Sequence, residues 1–162
     1  MPSRPCYALH GMGDIVDKKT RSRMMAGIRS RHTKPERLIR SLLHKAGYRF
    51  RLHSRKVPGR PDLILPKYKI AVHVHGCFWH GHDCPLYRPP ETRRDFWQQK
   101  ITQNRRRDRD VIEKTLQIGW RHLTIWECAI RGSKQLGTER TIARICRWIE
   151  GTRCTGDVRS RH

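Results

Sequence analysis

The sequence predicts a layered α/β domain built on a mixed sheet, and three observations carry that expectation. Short alternating or apolar runs at residues 48–52, 61–65, 69–75 and 120–126 read as strands. Two longer stretches, 93–118 and 138–149, carry apolar residues at helical spacing, and a third helix follows a capping signal at Thr33. In chain order these give helix, three strands, helix, strand, helix, a pattern that suits one sheet with helices packed on its faces.

Each element has a local reason. Thr33 can cap a helix with Glu36 three residues later, and Leu38, Ile39, Leu42 and Leu43 supply its apolar stripe up to Gly47. Tyr48-Arg49-Phe50-Arg51-Leu52 alternates, the run from Pro61 ends apolar at Leu65, and Ile70, Val72 and Val74 alternate in the next strand. The long helix sets Trp97, Ile101, Asn104, Asp108 and Ile112 near one face, and Gly119 stops it. Residues 1–16 hold Pro and Gly without periodicity and are expected to form a disordered extension. Residues 17–150 are then the folded domain, and the Arg-rich residues 151–162 a flexible basic tail.

At 162 residues the chain suits one domain with one core. Thirty-six basic against 14 acidic residues leave a formal net charge of +22, which points to a polyanionic partner. Such contacts go mainly to phosphate, ignore sequence and weaken steeply with salt. A ribosomal or coating protein shares that composition, but the lack of low-complexity basic tracts and the five tryptophans favour a folded core. No run of about 18 apolar residues occurs, so no membrane partner is expected, and the location expected is the cytoplasm. The six cysteines suit metal better than disulfides in such a compartment, with Cys6, Cys146 and Cys154 incidental.

Cys77, His82 and Cys84 stand on one short loop, and Cys128 follows the strand ending at Trp126. Thiolates with an imidazole are ligands of tetrahedral zinc, and four protein ligands leave no open position, so that metal would be structural. It would staple the loop after the third strand to the end of the fourth. His80 or Asp83 can substitute within such a set. The plain alternative is ordinary buried cysteines beside a solvated histidine.

Asp62 follows Pro61 at the start of a strand. Nucleases of the restriction type hold magnesium between such a carboxylate and a carboxylate or backbone carbonyl on the next strand. Here the next strand offers His73-Val74-His75 and no second carboxylate, which leaves the Val74 carbonyl to complete the coordination. His75 or His80 can move protons near neutral pH. Taken alone, Pro61-Asp62 is also a simple turn before a strand; the adjoining histidines and cysteines favour a site.

Asp17-Lys18-Lys19-Thr20-Arg21-Ser22, Pro58-Gly59-Arg60-Pro61-Asp62, His75-Gly76-Cys77-Phe78-Trp79-His80, and Gly119-Trp120-Arg121 through Trp126-Glu127-Cys128 together resemble the very short patch repair (Vsr) DNA mismatch endonucleases. The resemblance runs from about residue 17 to residue 150. It implies a restriction-endonuclease-like fold with structural zinc, and a magnesium-dependent nick 5′ to the thymine of a T·G mispair, the lesion left when 5-methylcytosine deaminates. By that resemblance Asp62 is the metal-binding aspartate and Val74 the residue whose carbonyl completes the site, where the family usually has threonine. His75 and His80 match the catalytic histidines. Glu36 matches a helix glutamate that orients a water on the metal, and is equally well explained as a capping-box residue. The zinc ligands match Cys77, His82, Cys84 and Cys128, while Gly81 and Asp83 stand where members often carry histidines.

Phe78, Trp79 and Trp97 match aromatics that the family pushes into the base stack beside the mispair, where unstacking is cheapest. Met25 would enter from the opposite groove, and Lys100 and Asn104 match residues near the mispaired bases. Trp97 at helical spacing from Ile101 also reads as core, and Lys100 as a solvated face. The expected partner is double-stranded DNA carrying a T·G mismatch, with mismatch-repair proteins as further partners and the chain acting as a monomer. The alternatives are a sequence-specific restriction endonuclease of the same fold, cutting both strands, and a zinc-stabilised DNA-binding protein without catalysis.

Overall fold

The computed structural model describes Asp17, Lys19, Thr20, Ser22, Arg23 and residues 31–160. It divides into two compact units, Met1–Ser30 and Arg31–His162. In the first, Lys19, Thr20, Ser22 and Arg23 are helical. Asp17 caps that turn: its carboxylate accepts from the Thr20 backbone N–H and from the Thr20 hydroxyl, both at 2.8 Å.

The second unit contains α1 (Lys34–Lys45), β1 (Arg51–Leu52), β2 (Leu63–Leu65), β3 (Ile70–His75), α2 (Arg94–Gln117), β4 (Arg121–Trp126), α3 (Thr138–Glu150) and β5 (Thr155–Val158). The strands form one mixed sheet in the order β1-β2-β3-β4-β5. β1, β2 and β3 pair antiparallel, whereas β3, β4 and β5 run parallel. The first strand is shorter than the alternation suggested. Only Arg51 and Leu52 join the ladder, while Phe50 turns against the core.

The two faces of the sheet differ in chemistry. Ile70 and Val72 of β3 and Leu123 and Ile125 of β4 are fully buried in one aliphatic cluster with Ile39 and Leu43 of α1 and Ile145 and Ile149 of α3. Because side chains alternate along a strand, Ala71, His73 and His75 of β3 and His122, Thr124 and Trp126 of β4 take the other face. There α2 packs against β4. His73 and His122 are both buried and stack at 5.0 Å, and burial pulls their pKa values down to about 3 and about 4. The imidazoles are therefore neutral. Gly59, at φ +74°, sits so close to Val111 of α2 that a Cβ would meet its Cγ1 at 2.4 Å, which only glycine permits.

The segment after Glu150, expected to be a loose tail, instead supplies a fifth strand. Thr155–Val158 pairs in parallel with residues 122–125, and Val158 is buried opposite Ile125. Arg121 explains the ordering. Its guanidinium donates to the carbonyls of Trp148 (2.8 Å), Ile149 (2.9 Å) and Arg153 (2.9 Å) and lies over the Trp148 ring at 4.4 Å. One side chain thus satisfies the orphan carbonyls at the end of α3 and steers the chain back to the sheet edge. A carboxylate at the buried Val158 would lose its water and the contact that Val158 makes with the core, so Val158→Asp should lower the unfolding free energy by about 2 kcal/mol in a urea titration. A loose tail would accept the same change without measurable loss.

Candidate functional site

The parallel pairing of β3 with β4 ends at His75 opposite Trp126. Both strands therefore deliver their following residues to the same end of the sheet, and Cys77 and Cys128 each lie two positions further on. The loop after β3 folds back through a His82 N–H bond to the Cys77 carbonyl at 3.0 Å and a Gly81 N–H bond to the Phe78 carbonyl at 3.3 Å. One ligand atom from each of Cys77, His82, Cys84 and Cys128 lies within 4.8 Å of all the others. His82 presents Nδ1 to Cys128 Sγ at 3.5 Å, and its ring stacks on Trp126 at 4.0 Å. Burial raises the Cys77 thiol far above its usual range, and the thiols of Cys128 and Cys84 add to that. A dication among the four would reverse the balance, because thiolates are the form that metal binds. The donor set fits a closed, tetrahedral site.

A second group lies beside the loop. Asp62 is half-buried and its Oδ2 accepts from the Val74 N–H at 2.7 Å, so the contact to Val74 is through that backbone donor. Burial is the main reason its carboxyl is pushed up to about 6; Glu36 adds to the rise, while Arg40 and His80 oppose it. A divalent cation beside this carboxyl would favour its charged form. His75 stacks face to face on His80 at 3.8 Å, and burial together with His80 holds its pKa well below the usual histidine value. His75 Nδ1 is buried without a hydrogen-bond partner among the described residues. His80 presents Nδ1 to Asp108 Oδ2 in a short contact. His75, His80 and Asp108 also bring their ligand atoms within 4.8 Å of one another.

The loop is held by α2. Asn104 is buried and donates to the Trp79 carbonyl at 2.7 Å, while Arg105 donates to the carbonyls of His80 (3.1 Å) and Gly81. Gly81 adopts φ +57°, and a Cβ there would meet Ile101 at 2.5 Å, so the loop approaches the helix too closely for another residue. Phe78, Trp79 and Trp97 form one half-buried aromatic cluster with ring centroids 5.1 to 5.8 Å apart. Phe96 extends it from the exposed side, packing on Trp97 at 5.3 Å under the Arg93 guanidinium. Lys100 is exposed on α2, and Met25 lies outside the described residues.

Glu36 is buried, and its carboxylate takes three donors: the Thr33 hydroxyl at 3.0 Å, the His32 N–H at 2.9 Å and Arg40 at 2.7 Å. Thr33 caps the helix, accepting in turn from the Glu36 N–H at 3.4 Å, and the Glu36 carboxylate reaches back one residue further than in a standard capping box, to the His32 N–H. The sequence reading did not single out Asp108, Arg105 or Arg40 as site residues. Asp108 follows Asn104 by one helical turn on the face already marked as buried, and that spacing could have nominated it.

Comparison with known proteins gives a consistent result. The family described as DNA mismatch endonuclease Vsr matches residues 13–86. The chain is 42% identical over 147 residues to the DNA mismatch endonuclease Vsr of Escherichia coli, covering 91% of this chain and 94% of that protein. It is 43% identical over 119 residues to a type II nicking enzyme of Xanthomonas oryzae pv. oryzae, covering 74% of this chain and 88% of that one. A type II nicking enzyme of Neisseria meningitidis serogroup A is 40% identical over 139 residues, covering 86% of this chain and 98% of its own. Residues 13–86 take in Cys77, His82 and Cys84 of the loop and the His75–His80 pair, and the likeness to the Escherichia coli protein runs over 91% of the chain, so the chain belongs to the DNA mismatch endonuclease Vsr family.

Proposed function

We propose that this chain nicks duplex DNA 5′ to the thymine of a T·G mispair arising from 5-methylcytosine deamination, on a restriction-endonuclease-like scaffold. The observation that carries the reading is the meeting of Asp62, the His75–His80 stack and the Phe78–Trp79–Trp97 cluster around one loop at one end of the sheet. Asp62 and the Val74 carbonyl would hold magnesium, and Cys77, His82, Cys84 and Cys128 would hold zinc. When bound, magnesium supplies a Lewis acid at the scissile phosphate and makes water a better nucleophile.

The side chains divide the remaining work. With Asp108 accepting from His80 Nδ1, the Nε2 of His80 is left to exchange a proton during hydrolysis. His75, half-buried, serves as the face against which His80 is held. Glu36 is fixed by its three donors and can orient water without swinging toward the cation. Phe78 and Trp79 supply the wedge, with Trp97 behind them and Met25 on the opposite groove; Lys100 lies free to reach the mispaired bases. Asn104 would act there through Trp79, whose carbonyl it holds. The excess of basic residues serves phosphate contact, and the chain would work as a monomer, with mismatch-repair proteins as further partners.

The relatives named type II nicking enzymes favour a second reading, cleavage at a fixed sequence in the manner of a restriction enzyme. A plasmid nicked only when it carries the mismatch supports the first, and cleavage of fully paired DNA at a fixed sequence, to a nicked or a linear product, supports the second. Asp62→Ala should abolish nicking while T·G duplex binding persists. Full activity in that variant rules out catalysis at this carboxylate.

The wedge has its own test. Removing Phe78 and Trp79 together leaves the charge unchanged, so affinity for fully paired DNA should hold. Binding to the T·G duplex should weaken by about 1–3 kcal/mol for each lost stacking contact, narrowing the preference for the mismatch. Competition titrations of both duplexes at two salt concentrations measure this, and an unchanged preference assigns the two rings to the core.

A further inference from the structure

One guanidinium joins the segments that carry both carboxylates. Arg40, on α1, donates to Glu36 Oε2 at 2.7 Å, meets His32 Nδ1 at 2.7 Å and His53 Nε2 at 3.3 Å. Arginine has donors only, so both ring nitrogens must accept and both imidazoles face Arg40 with a lone pair. His53 then reaches the other carboxylate residue through its backbone, its N–H donating to the Asp62 carbonyl at 3.4 Å.

The cluster is built at a cost. The Arg40 and Glu36 side chains are 12% and 4% exposed, and Arg40 Nε is buried without a partner among the described residues. His32 and His53 hold φ at +56° and +47°, left-handed backbone that side-chain-bearing residues rarely adopt, and their rings meet edge to face at 5.1 Å. Strain of this kind persists where the surroundings fix it, and it gathers at functional sites. A helix cap alone requires none of it, since Thr33 and the His32 N–H already hold Glu36.

Resting on the reading given under Proposed function, we propose that Arg40 is a positioning residue for the metal centre, fixing Glu36 directly and Asp62 through His53. Its charge offsets the mutual repulsion of the two carboxylates, and its fork sets their spacing before a cation arrives. Lysine could keep the Glu36 pair but has no planar fork to span both histidines. Arg40 is nearly buried, so DNA affinity does not depend on it.

The test follows T·G duplex nicking against magnesium concentration for wild type, Arg40→Ala and Arg40→Lys, with duplex binding measured without magnesium and melting temperature recorded. Arg40→Ala should need roughly tenfold or more magnesium for half-maximal rate, the scale at which residues behind a metal's ligands act, with duplex binding unchanged. Arg40→Lys should fall between. If the alanine variant melts below the assay temperature, the lysine variant carries the test by its own shift in magnesium midpoint. Folded variants with the wild-type midpoint and rate overturn the proposal alone. A wild-type chain inert on the mismatch overturns the nicking reading and this proposal with it.

Discussion

The parallel ladder between β3 and β4 is the constraint on which the rest of the molecule depends. Its six pairs run from Ile70 opposite Arg121 to His75 opposite Trp126. That register brings Cys77 and Cys128 out of the sheet side by side and stacks His82 on Trp126. A slip of one residue would turn every side chain of one strand to the wrong face, moving His73 and His75 into the aliphatic core and Ile70 and Val72 under α2. Because one face is aliphatic and the other carries histidines, the sheet cannot tolerate that slip. The register that assembles the cysteine set is thus enforced by burial some distance from it.

The loop between β3 and α2 is held from two sides. Cys128 meets it just after β4, while from α2 Asn104 and Arg105 grip its carbonyls and Asp108 engages His80. The result is a rigid mount for two aromatic rings next to a pair of stacked imidazoles. Charge is arranged to match. Asp62 is pushed toward its neutral form by burial and by Glu36, and the Val74 N–H, Arg40 and His80 draw it back.

Much of this was legible in the chain, and the parts that were not share a cause. Thr33 and Glu36 announced the first helix because a capping box is local. Ile70, Val72 and Val74 announced β3 by alternation, and Cys77, His82, Cys84 and Cys128 declared a ligand set by residue type. β5 was missed because Thr155-Gly156-Asp157-Val158 holds one strongly apolar residue and a glycine. Its order comes from Arg121, thirty-odd positions earlier, which no local pattern reveals. Arg40 was invisible for the same reason, since on a helix it looks like a solvated arginine until His53 is folded against it. Alternation did set Tyr48 and Phe50 toward the core, but it did not anticipate that the ladder holds only Arg51 and Leu52 or that Leu52 is exposed.

Zinc content measured on the purified protein, for wild type and Cys128→Ser, tests most directly the claim that the β3–β4 register closes a metal site. The account predicts about one zinc per wild-type chain, with both metal content and melting temperature lowered in the variant. Stoichiometric zinc retained by Cys128→Ser, with unchanged melting, would contradict it.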